Sequence, residues 1–320
     1  MLAGVLLVLS LSVSAAETQR ANYPTRPVRM IAPFPPAGPT DVLARAISVK
    51  LTEYWGHQVI VDNRPGAGGN IGTETAARAA PDGYTLVMGT IATHAINESL
   101  YRSLPYSAGK DFVPVALAAQ TPSLVVVHPS VAAKNFSEFI ALAKATPRGL
   151  NYAHAGVGTL GHLAMVLLTL QSGVSVNHVP YKGTGPALTD TVGGQTAFMI
   201  SSALTAAPFV RNGRLRALAI TSAKRSPAWP DIPAVAESGY PNYIAMGWAG
   251  VFAPARVPRG LPQRINADIN RALASPDTRE RLLASGSEPA SLSDREFGEF
   301  RRAEAEKWAK VVREAAITAE

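Results

Sequence analysis

Four short segments of the sequence place glycine and hydroxyl side chains directly before a predicted helix. They cover residues 34–41, 89–94, 155–159 and 181–186. Glycine lets the backbone approach a ligand closely, and the free N–H groups and the dipole at the start of a helix attract an anion. One such segment alone is most simply a well-capped helix start. Four together, at the ends of predicted strands, favour a carboxylate-binding site that needs no arginine.

Side chains suited to catalysis or to metal binding are sparse. The sequence contains neither G-x-S-x-G nor H-E-x-x-H, and its six histidines are dispersed. His154 and His162 flank the third segment, but their spacing matches no known metal site, so a structural role is favoured and no metal is predicted. Asp41 and Asp190 lie near predicted helix starts, where capping is their ordinary role. No pair of general acid and base is evident, and no catalytic residue is assigned.

A glycine-rich stretch at residues 66–72 follows a predicted strand and precedes a predicted helix. Its glycines at positions 66, 68, 69 and 72 do not give the G-x-G-x-x-G pattern, because Ile71 stands where the third glycine belongs. No G-K-[ST] follows it either. We therefore interpret the stretch as a tight turn with close helix packing rather than as a nucleotide site, and we predict no cofactor.

The elements that must position these segments alternate between strand and helix patterns. The βαβαβ order of residues 28–88 favours a parallel sheet, and a second βα series begins at residue 150. The predicted fold class is α/β, with two lobes that each contain a mixed sheet flanked by helices. The predicted strands are 28–32, 58–62, 84–88, 123–127, 150–153, 176–179, 197–200, 215–221 and 248–253, and the predicted helices are 42–55, 71–80, 136–145, 162–171, 186–192, 204–212, 262–274, 276–285 and 293–316.

The length and the composition favour two compact lobes. The chain has 320 residues, of which 47% are hydrophobic and 17% are charged, which is enough to bury two cores. We expect the chain to cross between the lobes near residues 120–124 and 243–247. The first lobe then comprises residues 22–122 and 246–320, the second comprises residues 123–245, and a ligand cleft lies between them.

Composition also excludes several classes of site and partner. The sequence has no cysteine, which excludes disulfides, thiolate metal sites, a cysteine nucleophile and a lipid-modified cysteine. The formal net charge is +7, but the cations are spread along the chain, and their densest group alternates with Glu on the last predicted helix. A solvated helix face explains this pattern better than a nucleic-acid-binding stripe does, so no nucleic-acid partner is expected.

The N-terminus has the pattern of a secretory signal peptide. Residues 2–13 form an apolar run that is too short to span a membrane comfortably, and the small residues Ser14, Ala15 and Ala16 follow. We predict cleavage near residue 16 and a periplasmic location. The charged region that usually opens a signal peptide is missing, since no Lys or Arg precedes Arg20. No later segment reaches the length of a membrane span.

Several segments, taken in order, resemble the Bug-type receptors, the TctC-like solute receptors of tripartite tricarboxylate transporters. The likeness runs from about residue 22 to the C-terminus. The resemblance implies a two-lobed "flytrap" of the type II periplasmic-binding-protein class, which closes on a small organic carboxylate and delivers it to membrane permease subunits. It also leads us to expect a monomer. The segments that carry the resemblance are residues 23–29, 32–41, 62–72, 80–86, 104–106, 178–183 and 215–219.

The resemblance further implies which residues grip the ligand, through backbone amides, hydroxyls and ordered water. Two positions depart from the family pattern: Ala37 stands where a second glycine is usual, and Ser201 and Ser202 stand where many relatives carry an acidic residue. The second departure favours a plain mono- or dicarboxylate over a ligand with an amine. The predicted ligand-binding residues are Phe34, Pro36, Ala37, Gly38, Thr40, Asp41, Thr90, Thr93, His94, His154, Gly156, Gly158, Thr159, Tyr181, Lys182, Gly183, Thr184, Ser201 and Ser202.

Two alternative functions stay open at this point. An exported enzyme that acts on a carboxylate would use the same cleft, with His94 or His154 as its acid–base group. A receptor for a sensor kinase would bind its ligand with the same chemistry and would differ only in its membrane partner.

Overall fold

Two mixed β-sheets organise the fold in the computed structural model, which describes residues 23–284 and 286–319. The predicted signal peptide lies outside these residues. The strands are β1 (Val28–Ala32), β2 (Val59–Asn63), β3 (Thr85–Thr90), β4 (Phe112–Thr121), β5 (Ser123–Val127), β6 (Leu150–His154), β7 (Val176–Pro180), β8 (Phe198–Ser202), β9 (Arg216–Ile220), β10 (Gly247–Pro254) and β11 (Glu288–Pro289). Their spatial order is β11-β4-β10-β3-β1-β2 in the first sheet and β7-β6-β8-β5-β9 in the second.

Helices connect the strands and complete the chain. They are α1 (Pro39–Trp55), α2 (Asn70–Ala77), α3 (Asn97–Leu100), α4 (Phe136–Ala145), α5 (Leu160–Ser172), α6 (Thr184–Val192), α7 (Ala203–Arg211), α8 (Leu261–Ala274), α9 (Pro276–Ala284) and α10 (Asp294–Glu314). A π-helical turn at Ala92–Ile96 leads into α3. Within residues 23–284 and 286–319, none of these helices has both the length and the apolar character that crossing a bilayer requires.

The strand directions follow one scheme in both sheets. β1 lies between β2 and β3, and all three are parallel, as the βαβαβ order predicted. β6 is likewise parallel to β7 and β8. Each sheet also contains a strand that runs antiparallel to its neighbours, β10 between β3 and β4 and β5 between β8 and β9. In each sheet, this antiparallel strand is the first strand in the sequence after the chain has passed over from the other sheet.

The chain passes between the sheets twice. Pro122 alone separates β4 from β5. On the return, the N–H of Ala245 still donates to the carbonyl of Thr221 beside the second sheet at 3.0 Å, whereas Gly247 already pairs with Thr121 in the first sheet. We propose that these two passages divide the chain into two lobes, the first of which contains residues from both ends of the described chain.

Strand β4, an inner strand of the first sheet, was not predicted from the sequence. Pro114 interrupts its apolar pattern, and a proline has no N–H to give to a strand ladder. In the structure Pro114 stands opposite Phe252 of β10, where the pairing register is irregular. A proline is tolerated inside a sheet at such an irregularity. The two-residue strand β11 was also missed.

Helix α1 begins earlier than predicted. The sequence analysis placed its start at Val42 with Thr40 and Asp41 as the cap, but the helix starts at Pro39 and its N-cap is Gly38. Proline is favoured at the first helical position because its fixed φ suits the helix and its missing N–H would have no partner there. Thr40 and Asp41 therefore lie in the first turn.

The glycine-rich stretch forms a close contact between backbone segments. A Cβ added to Gly72 would lie 2.6 Å from the carbonyl oxygen of Arg64 and 2.8 Å from Cα of Pro33. A Cβ on Gly69 would lie 2.8 Å from Thr93 and 3.0 Å from the ring of Phe34. These glycines therefore permit close packing, in agreement with our interpretation of the stretch as a tight turn.

The C-terminal helix α10 contacts both halves of the fold. It packs against β4, the π-helical turn and α3 on one side and against α5 on the other. Glu304 of this helix is 9% exposed. It accepts the indole N–H groups of Trp248 at 3.2 Å and Trp308 at 3.1 Å and pairs with Lys307. Lys307 also donates to the carbonyl of Ile244 at 3.1 Å, so α10 is fixed to the second passage between the sheets.

We expect the substitution Glu304→Leu to lower the free energy of unfolding by about 3 kcal/mol, because it leaves two buried indole donors without their acceptor and removes the carboxylate that pairs with Lys307. Urea unfolding followed by tryptophan fluorescence measures this. Glu299→Leu on the same helix is the matched control. Glu299 pairs with Arg295 at the surface, so its loss is expected to change the free energy by less than about 0.5 kcal/mol. Equal effects of the two substitutions would contradict the role given to Glu304.

Candidate functional site

The predicted ligand-binding residues lie at the carboxyl ends of parallel strands. Residues 34–41 follow β1, Thr90 ends β3, His154 ends β6 and Tyr181 follows β7. Ser202 is the last residue of β8. Ligands of open α/β sheets settle at this end of the strands. The fold therefore brings the predicted residues to one edge of each sheet.

Several contacts join these segments. In the second lobe, the N–H of Tyr181 donates to the carbonyl of His154 at 2.9 Å, and the N–H of Gly183 donates to the carbonyl of Ala155 at 3.2 Å. Between the lobes, Gly158 lies against Leu100 at the end of α3, so closely that an added Cβ would be 2.2 Å from Cδ2 of that leucine. The segments after β6 and β7 thus form one unit that reaches the first lobe.

Asp41 organises the segment after β1. Its carboxylate is 2% exposed and accepts the N–H of Ala37, Nε of Arg45 and Nδ2 of Asn63, each at 2.9 Å. Asn63 also donates to the carbonyl of Phe34 at 3.1 Å. Both carboxylate oxygens are therefore engaged within the protein. Asp41 shapes the segment, and its predicted direct contact with a ligand has no support in this geometry.

Ala37 is the position where the sequence departs from the family pattern by lacking a glycine. Its φ is 63°, in the left-handed region. The left-handed backbone conformation raises the free energy of an L-residue by roughly 1–2 kcal/mol. Glycine adopts it without this cost. The hydrogen bond from its N–H to Asp41 helps to hold the residue in this conformation.

We expect Asp41→Asn to lower the free energy of unfolding by about 1–3 kcal/mol at pH 7, because an amide cannot accept from all three donors. The pKa of Asp41 is lowered, mainly by its hydrogen bond with Arg45, although burial alone would raise it. A lowered native pKa stabilises the fold above the unfolded pKa of about 3.9, and this stabilisation is lost as the pH falls through the native value.

The difference between the wild-type protein and Asp41→Asn should therefore shrink between about pH 5 and pH 2. Urea unfolding at several pH values measures it. The exposed Asp231 supplies the control, since Asp231→Asn removes no buried hydrogen bond and should change the stability little at pH 7. A difference for Asp41→Asn that stays constant down to acid pH would contradict the assignment.

The turn after β3 directs two predicted ligand contacts inward. The side chains of Thr93 and His94 are fully buried. Thr93 Oγ1 accepts the N–H of Thr90 at 3.0 Å and lies 2.8 Å from His94 Nδ1. The His94 ring stacks on Phe252 with 3.9 Å between ring centroids. Burial lowers the pKa of His94 to about 3, so the ring is neutral. It packs between Phe252 and the hydroxyl of Thr93 and so stabilises the turn. Thr90 and Ala92, which are half-buried, are the residues of segment 89–94 that stay accessible, and Thr90 is the one with a polar side chain.

Two other predicted roles change in the second lobe. Thr159 is the N-cap of α5, and its hydroxyl donates to the carbonyl of Gly156 at 2.7 Å, so it is occupied within the loop. Asp190 lies in the last turn of α6 rather than near a helix start. It accepts the hydroxyl of Tyr181 at 2.7 Å. Burial and this hydrogen bond raise the pKa of Tyr181 to about 12.

Three helices that begin at these strand ends have no side-chain cap among the described residues. Their N-cap residues are Gly38 for α1, Gly183 for α6 and Ser202 for α7. The first N–H groups of a helix have no partner inside the helix. Thr40 and Thr184 lie in the first turns of α1 and α6, and neither hydroxyl is hydrogen-bonded within residues 23–284 and 286–319. These two positions present donors from both lobes.

A cluster of three histidines lies behind the loops of the second lobe. His154 and His162 stack with ring centroids 4.5 Å apart. His178 of β7 stands edge-on to them, with centroids at 5.6 and 5.1 Å. Burial lowers the pKa of His154 and lowers that of His162 to about 4, and the pKa of the more exposed His178 is lowered by partial desolvation and by its neighbour His154. Sequence reasoning paired His154 with His162 and missed His178. In the parallel pairing of β6 with β7, His178 stands opposite Tyr152, two residues before His154. This pairing is the signal that could have placed His178 beside His154.

The fold and the arrangement of this site define a class of protein. Two mixed sheets are joined by two passages, and loops that lead into helices without a side-chain cap stand at the carboxyl ends of strands in both sheets. This is the architecture of two-lobed periplasmic solute-binding proteins of type II.

Comparison with known proteins identifies the family. Residues 43–317 match the family described as TctC, the tripartite tricarboxylate transporter family receptor. Protein BugT of Bordetella pertussis is 39% identical over 301 residues, which cover 94% of this chain and 92% of that protein. The chain belongs to this receptor family, as the resemblance of its sequence segments indicated.

Solved structures agree with this assignment. R. palustris Rpa4515 with adipate has a TM-score of 0.79 and 35% identity, and the match covers 92% of this chain and 99% of that one. MatC from Rhodopseudomonas palustris with bound malate has a TM-score of 0.74 and 34% identity, and the match covers 91% and 100%. The predicted fold class is thus confirmed.

Proposed function

We propose that this protein captures a small organic carboxylate between its two lobes and delivers it to the permease subunits of a tripartite tricarboxylate-type transporter. The observation that carries this proposal is that uncapped helix starts from both lobes occupy the predicted site, α1 from the first and α6 from the second. A carboxylate placed between them would accept N–H groups and threonine hydroxyls from both sides. Amides and hydroxyls of this kind bind an anion without an arginine.

The charges near the site favour an anion. Lys182 is exposed directly before Gly183, the N-cap of α6. Two acids of the helices that begin at the site, Asp41 of α1 and Asp190 of α6, are held by hydrogen bonds to Arg45 and Tyr181. Ser201 and Ser202 add no charge at the end of β8. A plain mono- or dicarboxylate therefore suits the site better than a ligand with an amine.

The relatives support the same class of ligand. Rpa4515 was solved with adipate and MatC with malate, both of which are dicarboxylates. We infer that this protein binds an acid of similar size and acts in the periplasm after its signal peptide is removed near residue 16. The relative named periplasmic binding protein BugD supports that location.

Ligand capture is expected to shift an equilibrium between open and closed arrangements of the lobes. Only a closed arrangement contacts the acid from both α1 and α6, so binding energy favours it. The closed surface is then what a permease can recognise. The alternative of an exported enzyme rested on the cleft and the six histidines, of which His94 and His154 are the ones whose substitution would test it. Both rings are buried, and burial does not favour either ring as an acid–base group.

The experiment that tests the proposal is calorimetric titration of the protein, unfolded and refolded to remove any bound acid, with mono-, di- and tricarboxylates that include adipate and malate. We expect one acid to bind with a dissociation constant of about 1 μM or tighter. Heat signals absent across the whole panel would reject the carboxylate proposal and leave the family assignment standing.

Thr40→Val and Thr184→Val should each weaken the binding of that acid by about tenfold to a hundredfold, because a hydrogen bond to a charged group contributes roughly 1.5–3 kcal/mol. Thr189→Val on the exposed face of α6 is the control and should leave the affinity unchanged. Thermal unfolding checks that all three variants fold. Unchanged affinity in both Thr40→Val and Thr184→Val would show that the ligand lies elsewhere.

A further inference from the structure

We propose that His154, His162 and His178 form a binding site for a divalent transition-metal ion, with Zn²⁺ as the ion that fits it best. One ring nitrogen of each histidine lies within 4.8 Å of those of the other two. The three come from three different elements, the end of β6, the first turn of α5 and strand β7. Imidazole is a ligand that zinc, copper and nickel share, and among the described residues no carboxylate belongs to the cluster, which favours these ions over calcium or magnesium.

The burial of the cluster points to a ligand. His154 is 2% exposed and His162 is 8% exposed. Nδ1 of His154 is buried and meets no hydrogen-bond partner among the described residues. A buried ring nitrogen without a partner loses the free energy of a hydrogen bond. Coordination to a metal ion would supply the missing partner.

The geometry allows three nitrogen ligands to converge. Three imidazole nitrogens bound to one zinc ion at about 2.1 Å lie about 3.4 Å from each other. The distances between these ring nitrogens, now up to 4.8 Å, therefore have to shorten by up to roughly 1.4 Å when the ion binds. His178 can supply most of this movement because its side chain is exposed and β7 is an edge strand. Its exposure also gives an ion a path into the cluster, and solvent or an anion would take the fourth position.

One hydrogen bond must change when the ion binds. The N–H of Gly158 donates to Nδ1 of His162 at 3.1 Å, so Nε2 is the nitrogen that His162 offers to the cluster. In the neutral ring the proton then resides on Nε2. Coordination through Nε2 moves this proton to Nδ1, so that the bound ring stays a neutral imidazole. The bond from Gly158 is then lost, and the amide of Gly158 becomes a reporter of the metal.

The test uses the protein purified without a polyhistidine tag and treated with a chelator. Titration with zinc chloride at neutral pH should show one ion per chain with a dissociation constant of about 1 μM or tighter. His178→Gln should weaken this by at least about tenfold, because it removes one of the three ligands. His57→Gln, at a histidine outside the cluster, should bind zinc as the wild-type protein does.

Two further measurements separate a metal site from packing of three rings. Zinc should raise the thermal unfolding midpoint of the wild-type protein and of His57→Gln, but not that of His178→Gln. In an amide NMR spectrum, zinc should shift the Gly158 resonance of the wild-type protein. Zinc binding weaker than millimolar in the wild-type protein, or equal affinity in His178→Gln, would overturn the proposal. No organic acid takes part, so the result is independent of the carboxylate proposal.

Discussion

The second passage between the sheets depends on one buried carboxylate. Glu304 on α10 accepts the indole N–H groups of Trp248 and Trp308 and pairs with Lys307, which donates to the carbonyl of Ile244. A charge in a protein interior is stable only where it is paired and hydrogen-bonded. The C-terminal helix therefore cannot slide along the returning segment without leaving this charge unpaired. One acid thus fixes where β10 enters the first sheet.

The position of β10 in turn determines the shape of the site. Gly250 of β10 lies so close to α10 that an added Cβ would be 2.3 Å from the ring of Phe297. Two residues further on, Phe252 provides the surface on which His94 stacks. His94 then holds the hydroxyl of Thr93, which accepts the N–H of Thr90 at the end of β3. The polar turn at the site thus rests on a strand that the far end of the chain holds in place.

The sequence alone predicted the elements well where the pattern was regular. β1, β5 and α4 have the predicted bounds, because uniform apolar or amphipathic runs identify them. β4 was missed because Pro114 breaks its apolar pattern. The missing N–H of proline is tolerated only because the pairing register with β10 is irregular at that point. That irregularity depends on a strand more than a hundred residues away, which no local pattern can contain.

Site residues were predicted by type and place, but not by the direction of their side chains. The loop that contains Thr93 and His94 was located, yet a π-helical turn directs both side chains inward. Asp41 was expected at the ligand, but Asn63, 22 residues away, and Arg45 take its oxygens. Such partners are set by tertiary packing. Sequence reasoning therefore finds a polar loop more readily than it finds which of its groups remain open.

The histidine cluster shows how closely a binding loop and its support are connected in the second lobe. The carbonyl of His154 accepts the N–H of Tyr181, while its ring belongs to the cluster, so one residue serves both. The three histidine rings beneath the loop are neutral, so without a metal ion they neither attract nor repel a bound carboxylate by charge. A metal ion there would add positive charge, which attracts an anion, but it would also release the Gly158 amide from His162. Both effects act on the loop, and because linkage is reciprocal, an acid in the cleft would change the affinity for the metal by the same factor as the metal changes the affinity for the acid.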